Sequence, residues 1–363
     1  MPARLAFVTS TPLSVAGGSG TYVGIRELAR HLEERQVRVA TYAPAFRWPS
    51  FTLTRLLFNL TIARRLRGER HDWVVGFDLD GFHYGRRPVA PYIASIKGVI
   101  ADELTNERGI VRIMLGVQAA FERLAVRRAR AVVATSRYSR SRIVEAYGIP
   151  DAKVVLVPEL IDLRGWELEH GAIAPCEAEP PAVLTVAHMY PRKNLPVLLR
   201  AYARLRADGI AFQGWIVGDG PCRRRWERLR DDLSLRGRVE FLGTVSRREL
   251  ADRYRRAAVF CLPSRQEGFG IVFLEAMAHA KPIVAARAAA VPETVADGEV
   301  GILADPNDPH AFAQSLATLL TEPGLRRHMG EAGRRRVEVY RADRVAGLFL
   351  ERVGAALAGC GLA

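Results

Sequence analysis

"AVFCLPSRQEGFGIVFLEAMAHA", Ala258 to Ala280, passes from an apolar run through a glycine-bearing turn into a second apolar run. The first part, "AVFCLPS", reads as a short buried strand ending in small and polar residues. The last part, "IVFLEAMAHA", is apolar nearly all round, which predicts a helix buried on most faces. A strand feeding a helix through a short turn is the repeating step of a parallel α/β protein.

The same step recurs on both sides of this stretch. In the first half, "RLAFVTS", "VRVATYAP", "DWVVGFD", "APYIASIKG", "AVVATS" and "KVVLVPE" read as strands, with helices such as Tyr22–Arg35 and Val111–Ala129 between them. The segment "WELEHGAIAPCEAEPPA", from Trp166, mixes Gly, Pro and acids without periodicity and reads as a linker over 166–181. The rhythm then restarts with "AVLTVAHMY", "QGWIVGDG", "VEFLG", "AVFCLPS" and "PIVAAR", and a late segment, "LRRHMGEAGRRRVEVYRADRVAGLFLERVGAALA", reads as helical throughout. The expected fold class is α/β, with two Rossmann-like doubly wound parallel-sheet domains, 1–165 and 182–342, facing a central cleft.

Composition excludes several classes. At 363 residues the chain is too long for one small core. Hydrophobic residues at 49% and charged residues at 25% give the profile of a soluble globular protein rather than a disordered one. No apolar run reaches the roughly 20 residues that span a bilayer, and "LAFV" near the N-terminus is too short for a signal peptide. Cys176, Cys222, Cys261 and Cys360 are scattered without a CxxC pair, so no metal site or disulfide framework is expected and a cytoplasmic location is. The net charge of +14 suits anionic ligands, anionic lipid or nucleic acid, or a plain solvated face. The basic triplets Arg223–Arg225 and Arg334–Arg336 lie on helix-like segments without interleaved aromatics. Arg127, Arg128 and Arg130 make the N-terminal domain a candidate for peripheral contact with an anionic membrane at its inner face.

Three loops suit an anion. "TSTPLSVAGGSGTYVGIREL" places Gly17, Gly18 and Gly20 before a helix, where backbone N–H groups can approach a phosphate. It is no dinucleotide fingerprint, because Val23 stands where the third Gly belongs and "VRVATYAP" ends without an acid. No GxxxxGK[ST] occurs, which excludes a P-loop ATPase. "VGDGP" carries Gly218 after an apolar run and, taken alone, reads first as a tight turn. "AHMYPRKNLPVLL" places Arg192 and Lys193 between a strand end and a helix start, where a cation is unfavourable unless an anion accompanies it. Lys193 is one of only four lysines among 53 basic residues, so the choice of Lys is itself uncommon here.

Two carboxylates need an explanation. Glu275 sits inside the apolar helix, where a buried carboxylate costs several kcal/mol unless compensated. Its two oxygens could accept the hydroxyls of a cis-diol such as ribose; the alternative is a buried pair with Arg. Glu267 precedes Gly268-Phe269-Gly270, a turn that permits close backbone approach, and a carboxylate there suits hydroxyls better than phosphate. A sugar joined to a nucleoside diphosphate offers hydroxyls to Glu267, a ribose to Glu275 and a diphosphate to Lys193 and the helix N-termini.

With these residues in view, the chain resembles the retaining nucleotide-sugar glycosyltransferases of family 4, which have the GT-B fold. The likeness covers nearly the whole chain and is strongest from Pro181 to Tyr340. It is carried by Glu267-Gly268-Phe269-Gly270 through Glu275, and by "VGDGP", "VEFLGTVSRREL", "AVFCLPS" and "PETVADGEVGILADPNDP". It implies donor-sugar contact by Glu267, ribose contact by Glu275, and backbone contact from Phe269, Gly270 and Ile271. Lys193, with Arg192 and His188 beside it, would hold the diphosphate and stabilise its departure. Gly17 and Gly18 would face the phosphates from the other domain, and the helix 343–363 would pack back on the N-terminal domain.

Three positions depart from the family pattern. His188 stands where an Arg is usual. Lys97, in "YIASIKG", stands where a His near the reacting centre is frequent, and Glu159, in "PELID", stands where Asn is common. The resemblance implies net retention by front-face attack, without a metal or other cofactor. "DLD", Asp78 to Asp80, is then read as a loop facing the acceptor rather than a metal motif. The catalytic candidates are Glu267, Lys193 and Lys97; the acceptor-side candidates are Asp78, Asp80 and Lys97. The expected partners are a UDP- or GDP-linked sugar and a hydroxyl acceptor on a glycan, glycolipid or small molecule. A phosphorylase or epimerase on the same fold is the alternative enzyme. A basic nucleic-acid-binding protein is the alternative of another class, unsupported by any helix-turn-helix or RNA-binding motif.

Overall fold

The structure is a computed structural model that describes residues 3–11, 20–44, 50–165 and 177–359. Packing divides the chain into two units, Met1–Leu160 together with Ala342–Ala363, and Ile161–Arg341.

The first unit holds a six-stranded sheet of β1 (Arg4–Val8), β2 (Arg38–Tyr42), β3 (Trp73–Phe77), β4 (Tyr92–Ile96), β5 (Ala131–Ala134) and β6 (Val154–Leu156). Every pairing is parallel and the spatial order is β2-β1-β3-β4-β5-β6. Successive residues of β1 are buried on opposite faces: Leu5 and Phe7 join one core, Ala6 and Val8 the other. That is why the strand reads as an unbroken apolar run, since helices cover both faces of a parallel sheet. The last helix, Ala342–Gly359, gives Val345, Ala346, Phe349 and Val353 to the same core as Leu5 and Phe7.

The second unit repeats the plan with β7 (Ala182–Val186), β8 (Gln213–Val217), β9 (Val239–Gly243), β10 (Ala257–Leu262), β11 (Ile283–Ala286) and β12 (Gly301–Ala304). Its order is β12-β11-β10-β7-β8-β9, again all parallel. All six residues of β10 are buried, with Phe260 and Leu262 on one face and Val259 and Cys261 on the other. The helix that follows, Ile271–Ala278, buries Phe273, Leu274, Ala276, Met277 and Ala278, as its composition demands.

Two expectations change. "GILA", not among the expected strands, is the sixth strand of the second sheet. The late segment is not helical throughout: Pro323–Arg336 passes into a 3₁₀ turn, Val337–Tyr340, and Arg341 is extended before Ala342–Gly359 begins. Pairing with Ile161 breaks the helix, because Ile161 N–H donates to the Tyr340 carbonyl at 2.9 Å and Ile161 bridges to Arg341.

In both sheets the chain first builds to one side of the opening strand and then crosses to the other. The reversals fall between β1 and β3, and between β7 and β10. Loops leaving two such strands diverge, and the crevice at their C-terminal ends is where open α/β sheets hold ligands.

Candidate functional site

In the second unit, the loops after β7 and β10 meet beside this reversal. After β7, Pro191–Lys193 forms a 3₁₀ turn and Asn194 takes a left-handed conformation (φ 56°) before the helix Leu195–Ala207. The Asn194 side chain, buried, donates to the carbonyls of Pro306 at 2.6 Å and Pro263 at 3.2 Å. It thereby joins the loops after β7, β10 and β12. Arg265 N–H donates to the Arg192 carbonyl at 2.8 Å, a second tie between the first two.

These ties bring Lys193 Nζ to 2.6 Å from Glu267 Oε1. Burial works to raise the Glu267 carboxyl pKa, but the charge and hydrogen bond of Lys193, with Ser264 and Arg192 beside it, outweigh burial and hold the group below its ordinary value. The anion that a lysine at a helix start calls for is therefore Glu267 itself.

Gly268-Phe269-Gly270 carries the chain from Glu267 into the helix. Gly270 has φ 90°, and a Cβ there would lie 2.5 Å from the Phe273 ring. Phe269 is buried against Tyr340, ring centroids 5.5 Å apart, and its carbonyl accepts the Thr294 hydroxyl at 3.0 Å. Its side chain is thus a packing element, while the Phe269, Gly270 and Ile271 amides donate to no partner among the described residues. Four residues into the helix, half-buried Glu275 accepts from the Tyr254 hydroxyl at 2.8 Å through Oε2. Oε1 accepts nothing among the described residues. Desolvation pushes this carboxyl up to about 7, against the lowering effect of Tyr254 and of Arg247. Tyr254 stacks on His279 at 5.0 Å and on Phe260 at 5.8 Å, which fixes the phenol. The two glutamates are therefore held in opposite states of proton affinity.

Other donor-side candidates divide. Arg192 is half-buried with its guanidinium over the Tyr190 ring at 5.2 Å. His188 is exposed. Gly218 donates its N–H to the Gly243 carbonyl at 2.8 Å, so its amide is occupied within the fold. Its φ of 118°, and a Cβ position 2.0 Å from the Ala187 carbonyl oxygen, show why glycine is required where the β7 and β8 loops cross. Gly17 and Gly18 lie outside the described residues.

In the first unit the corresponding loops leave β1 and β3. Asp80 is fully buried and accepts from Ser10 N at 2.6 Å, from Ser10 Oγ and from Asn59 Nδ2 at 2.7 Å. Asp80 is thus framework, not an acceptor-facing side chain as "DLD" suggested, because the β1–β3 reversal needs an internal clasp. Arg55 completes that clasp, with Nε 2.9 Å from Ser10 Oγ and one amino group 2.9 Å from Gln118 Oε1. Its other amino group is buried without a hydrogen bond, 3.8 Å from both Asp78 and Asp80. Asp78, at φ 56°, accepts from Lys97 N at 2.9 Å. Burial lifts its carboxyl to about 6, with Arg55 opposing.

Lys97 lies at the end of β4, and its ammonium is not a free cation: it is 3.0 Å from each oxygen of Glu159. The two positions read separately as departures from the family pattern are partners. Neither Asn194 nor Arg55 was singled out in the sequence; a single polar clasp residue leaves no periodic or motif signal. Among the described residues, no group of three or more His, Cys, Asp or Glu is placed to hold a metal ion.

Residues 169–336 match the family model "Glycosyl transferases group 1" and residues 16–164 match "Glycosyltransferase Family 4". The chain is 34% identical over 228 residues to a GDP-mannose-dependent alpha-(1-6)-phosphatidylinositol monomannoside mannosyltransferase of Mycolicibacterium smegmatis. That match covers 58% of this chain and 59% of the mannosyltransferase, so it spans little more than half of the relative's length. A second relative, the MMP alpha-(1->4)-mannosyltransferase of Mycolicibacterium hassiacum, is 30% identical over 307 residues, covering 80% of this chain and 72% of that protein. Among solved structures, sucrose-phosphate synthase from Thermosynechococcus elongatus has the same fold, with a TM-score of 0.81 over 98% of this chain and 100% of that one, at 20% identity.

Proposed function

From the premise that this chain belongs to the group 1, family 4 glycosyltransferases of GT-B fold, we propose that it moves a hexose-type sugar from a UDP- or GDP-linked donor to an acceptor hydroxyl, with net retention. The observation that carries this reading is the Lys193–Glu267 pair, 2.6 Å apart at the β7–β10 reversal and next to the Gly-Phe-Gly turn. A lysine and a carboxylate side by side match the two ends of a sugar diphosphate. Lys193 would neutralise the departing diphosphate, with Arg192 next to it, which is the electrostatic help such a leaving group needs. Glu267 would accept the sugar hydroxyls, and the unengaged amides of Phe269 and Gly270 would donate at the helix start. Glu275, with one oxygen open, would take the ribose.

The sugar leaves without a double-displacement nucleophile in this scheme: the acceptor hydroxyl attacks from the face of the departing diphosphate, which takes its proton. The relatives' names favour GDP-mannose as the first donor to test, and a phosphoinositide-type glycolipid as the first acceptor.

A thermal-shift screen across UDP- and GDP-sugars tests the donor, since a ligand of the native state raises apparent stability with its concentration over Kd. Acceptor-dependent release of nucleoside diphosphate from the stabilising donor then tests transfer. Turnover that requires inorganic phosphate instead would assign the chain to the phosphorylases.

A further inference from the structure

Two of the three arginines that first suggested a membrane contact hold backbone carbonyls of the same unit. Arg127 Nε donates to the Tyr147 carbonyl at 2.9 Å and Arg128 donates to the Phe82 carbonyl at 2.8 Å. The exposed apolar surface lies elsewhere. Of the ten large apolar side chains exposed among the described residues, seven stand on two helices of the first unit. Phe51 (47% exposed), Leu53 and Leu60 (51%) are on Phe51–Gly68; Ile110 (68%), Val111, Ile113 (64%) and Val117 are on Gly109–Arg128.

The helices touch at the first turn of one and the middle of the other, through Gln118 Nε2 to Thr52 Oγ1 at 2.9 Å and Arg55 to Gln118 Oε1. From that junction Ile110 and Ile113 lie about 8–12 Å back along their helix. Each apolar set has exposed arginines beside it: Arg64 and Arg67 on the first helix, Arg108 and Arg112 at the start of the second, of which Arg67 also donates to the Arg87 carbonyl at 3.1 Å and Arg112 to the Leu104 carbonyl at 3.5 Å. Neither Ser50–Gly68 nor Arg108–Phe121 contains an Asp or Glu.

Isoleucines two-thirds exposed on a helix that has an apolar core available are unfavourable in water. Two helix segments without acids, bearing aliphatic side chains edged by arginine, have the pattern of a segment lying in a lipid interface. Aliphatic chains enter the acyl boundary, and guanidinium groups on apolar stems reach back to phosphodiesters. Among the described residues no helix is long and apolar enough to cross a membrane. We propose that these two helices form a docking surface for an anionic phospholipid bilayer, with Ile110 and Ile113 as the inserted residues and Arg108 and Arg112 as the headgroup contacts. This inference goes beyond the proposed reaction and does not require it.

The test is co-sedimentation of the full chain with vesicles of phosphatidylcholine alone and of phosphatidylcholine with phosphatidylglycerol, together with light scattering of the protein alone. The wild type should pellet with the anionic vesicles, less so as salt rises, and remain in solution with the neutral ones. Arg108→Ser with Arg112→Ser should lower the partition coefficient roughly thirtyfold, from about a fivefold contribution per surface arginine. Ile110→Ser with Ile113→Ser should abolish pelleting while leaving the melting temperature and the shift given by a bound nucleotide-sugar unchanged. Wild-type protein that ignores anionic vesicles, or an isoleucine variant that pellets normally, would overturn the proposal. So would a wild-type dimer that the isoleucine changes make monomeric without affecting vesicle binding, since the surface would then belong to a second copy of the chain.

Discussion

Lys97 and Glu159 hold each other with both carboxylate oxygens 3.0 Å from the ammonium, and each side chain is less than one-tenth exposed. Breaking such a pair from one side strands a buried charge, whereas removing both charges does not. Lys97→Met should therefore destabilise by about 3 kcal/mol in urea unfolding, and adding Glu159→Leu should recover most of that. Additive losses in this double-mutant cycle would show the two residues to be independent.

Removing Glu267 or Lys193 strands the charge of the other, so the stability of each variant is measured alongside its function. Lys193→Met should lower the turnover number roughly 100- to 1000-fold, the scale seen when one electrostatic donor to a developing anion is lost. Glu267→Ala should abolish transfer, and Glu275→Ala should chiefly weaken nucleotide binding. Steady-state kinetics alongside nucleotide titration distinguishes the three; full activity in both glutamate variants would misplace the site.

The opposite shifts of the two glutamates predict opposite pH responses. Glu275 has a folded pKa raised to about 7, so its contribution to stability is complete below the unfolded value and is lost as pH rises through about 7. The loss amounts to roughly 3 kcal/mol at most, from the size of the shift. Glu267 is lowered, so its contribution is present above the unfolded value and disappears as pH falls toward the folded one. Melting curves from pH 4 to 9 should show the Glu275→Gln variant gaining on the wild type between the ordinary value of 4.5 and about 7, and holding that gain above it. Parallel curves would contradict this.

Gly218→Ala should cost at least about 2 kcal/mol, since it combines a disfavoured backbone angle with a methyl 2.0 Å from the Ala187 carbonyl oxygen. Gly209, also left-handed but with nothing within 4 Å of its Cβ position, should accept Ala with a smaller loss. Chemical denaturation of both variants gives the comparison.

The strands were legible because each is short, apolar and bounded by small residues, and the α/β fold followed from their spacing. β12 escaped because "GILA" begins with glycine and offers only three apolar residues, too few to set a period. Glu267 and Lys193 stood out as a carboxylate beside a close-approach turn and a rare lysine. Their bond could not be read from the chain, because 74 residues separate them and only the β7–β10 pairing closes the distance. Lys97 and Glu159, 62 apart, escaped for the same reason. Asp80 misled because an aspartate after a strand normally faces water, whereas here a clasp across the β1–β3 reversal buries it.

Lys193 and Glu267 already satisfy one another, so nothing binds there by simple addition. A free phosphate that draws Lys193 away leaves the carboxylate orphaned in a buried position, and a free sugar that draws Glu267 away orphans the ammonium. A molecule that carries an anion and hydroxyls on one frame releases both at once and orphans neither. In the proposed donor site the salt link would thus act as a test of completeness: it would penalise each fragment and admit the whole, discriminating against the by-products and building blocks of the same ligand without a residue dedicated to rejecting them.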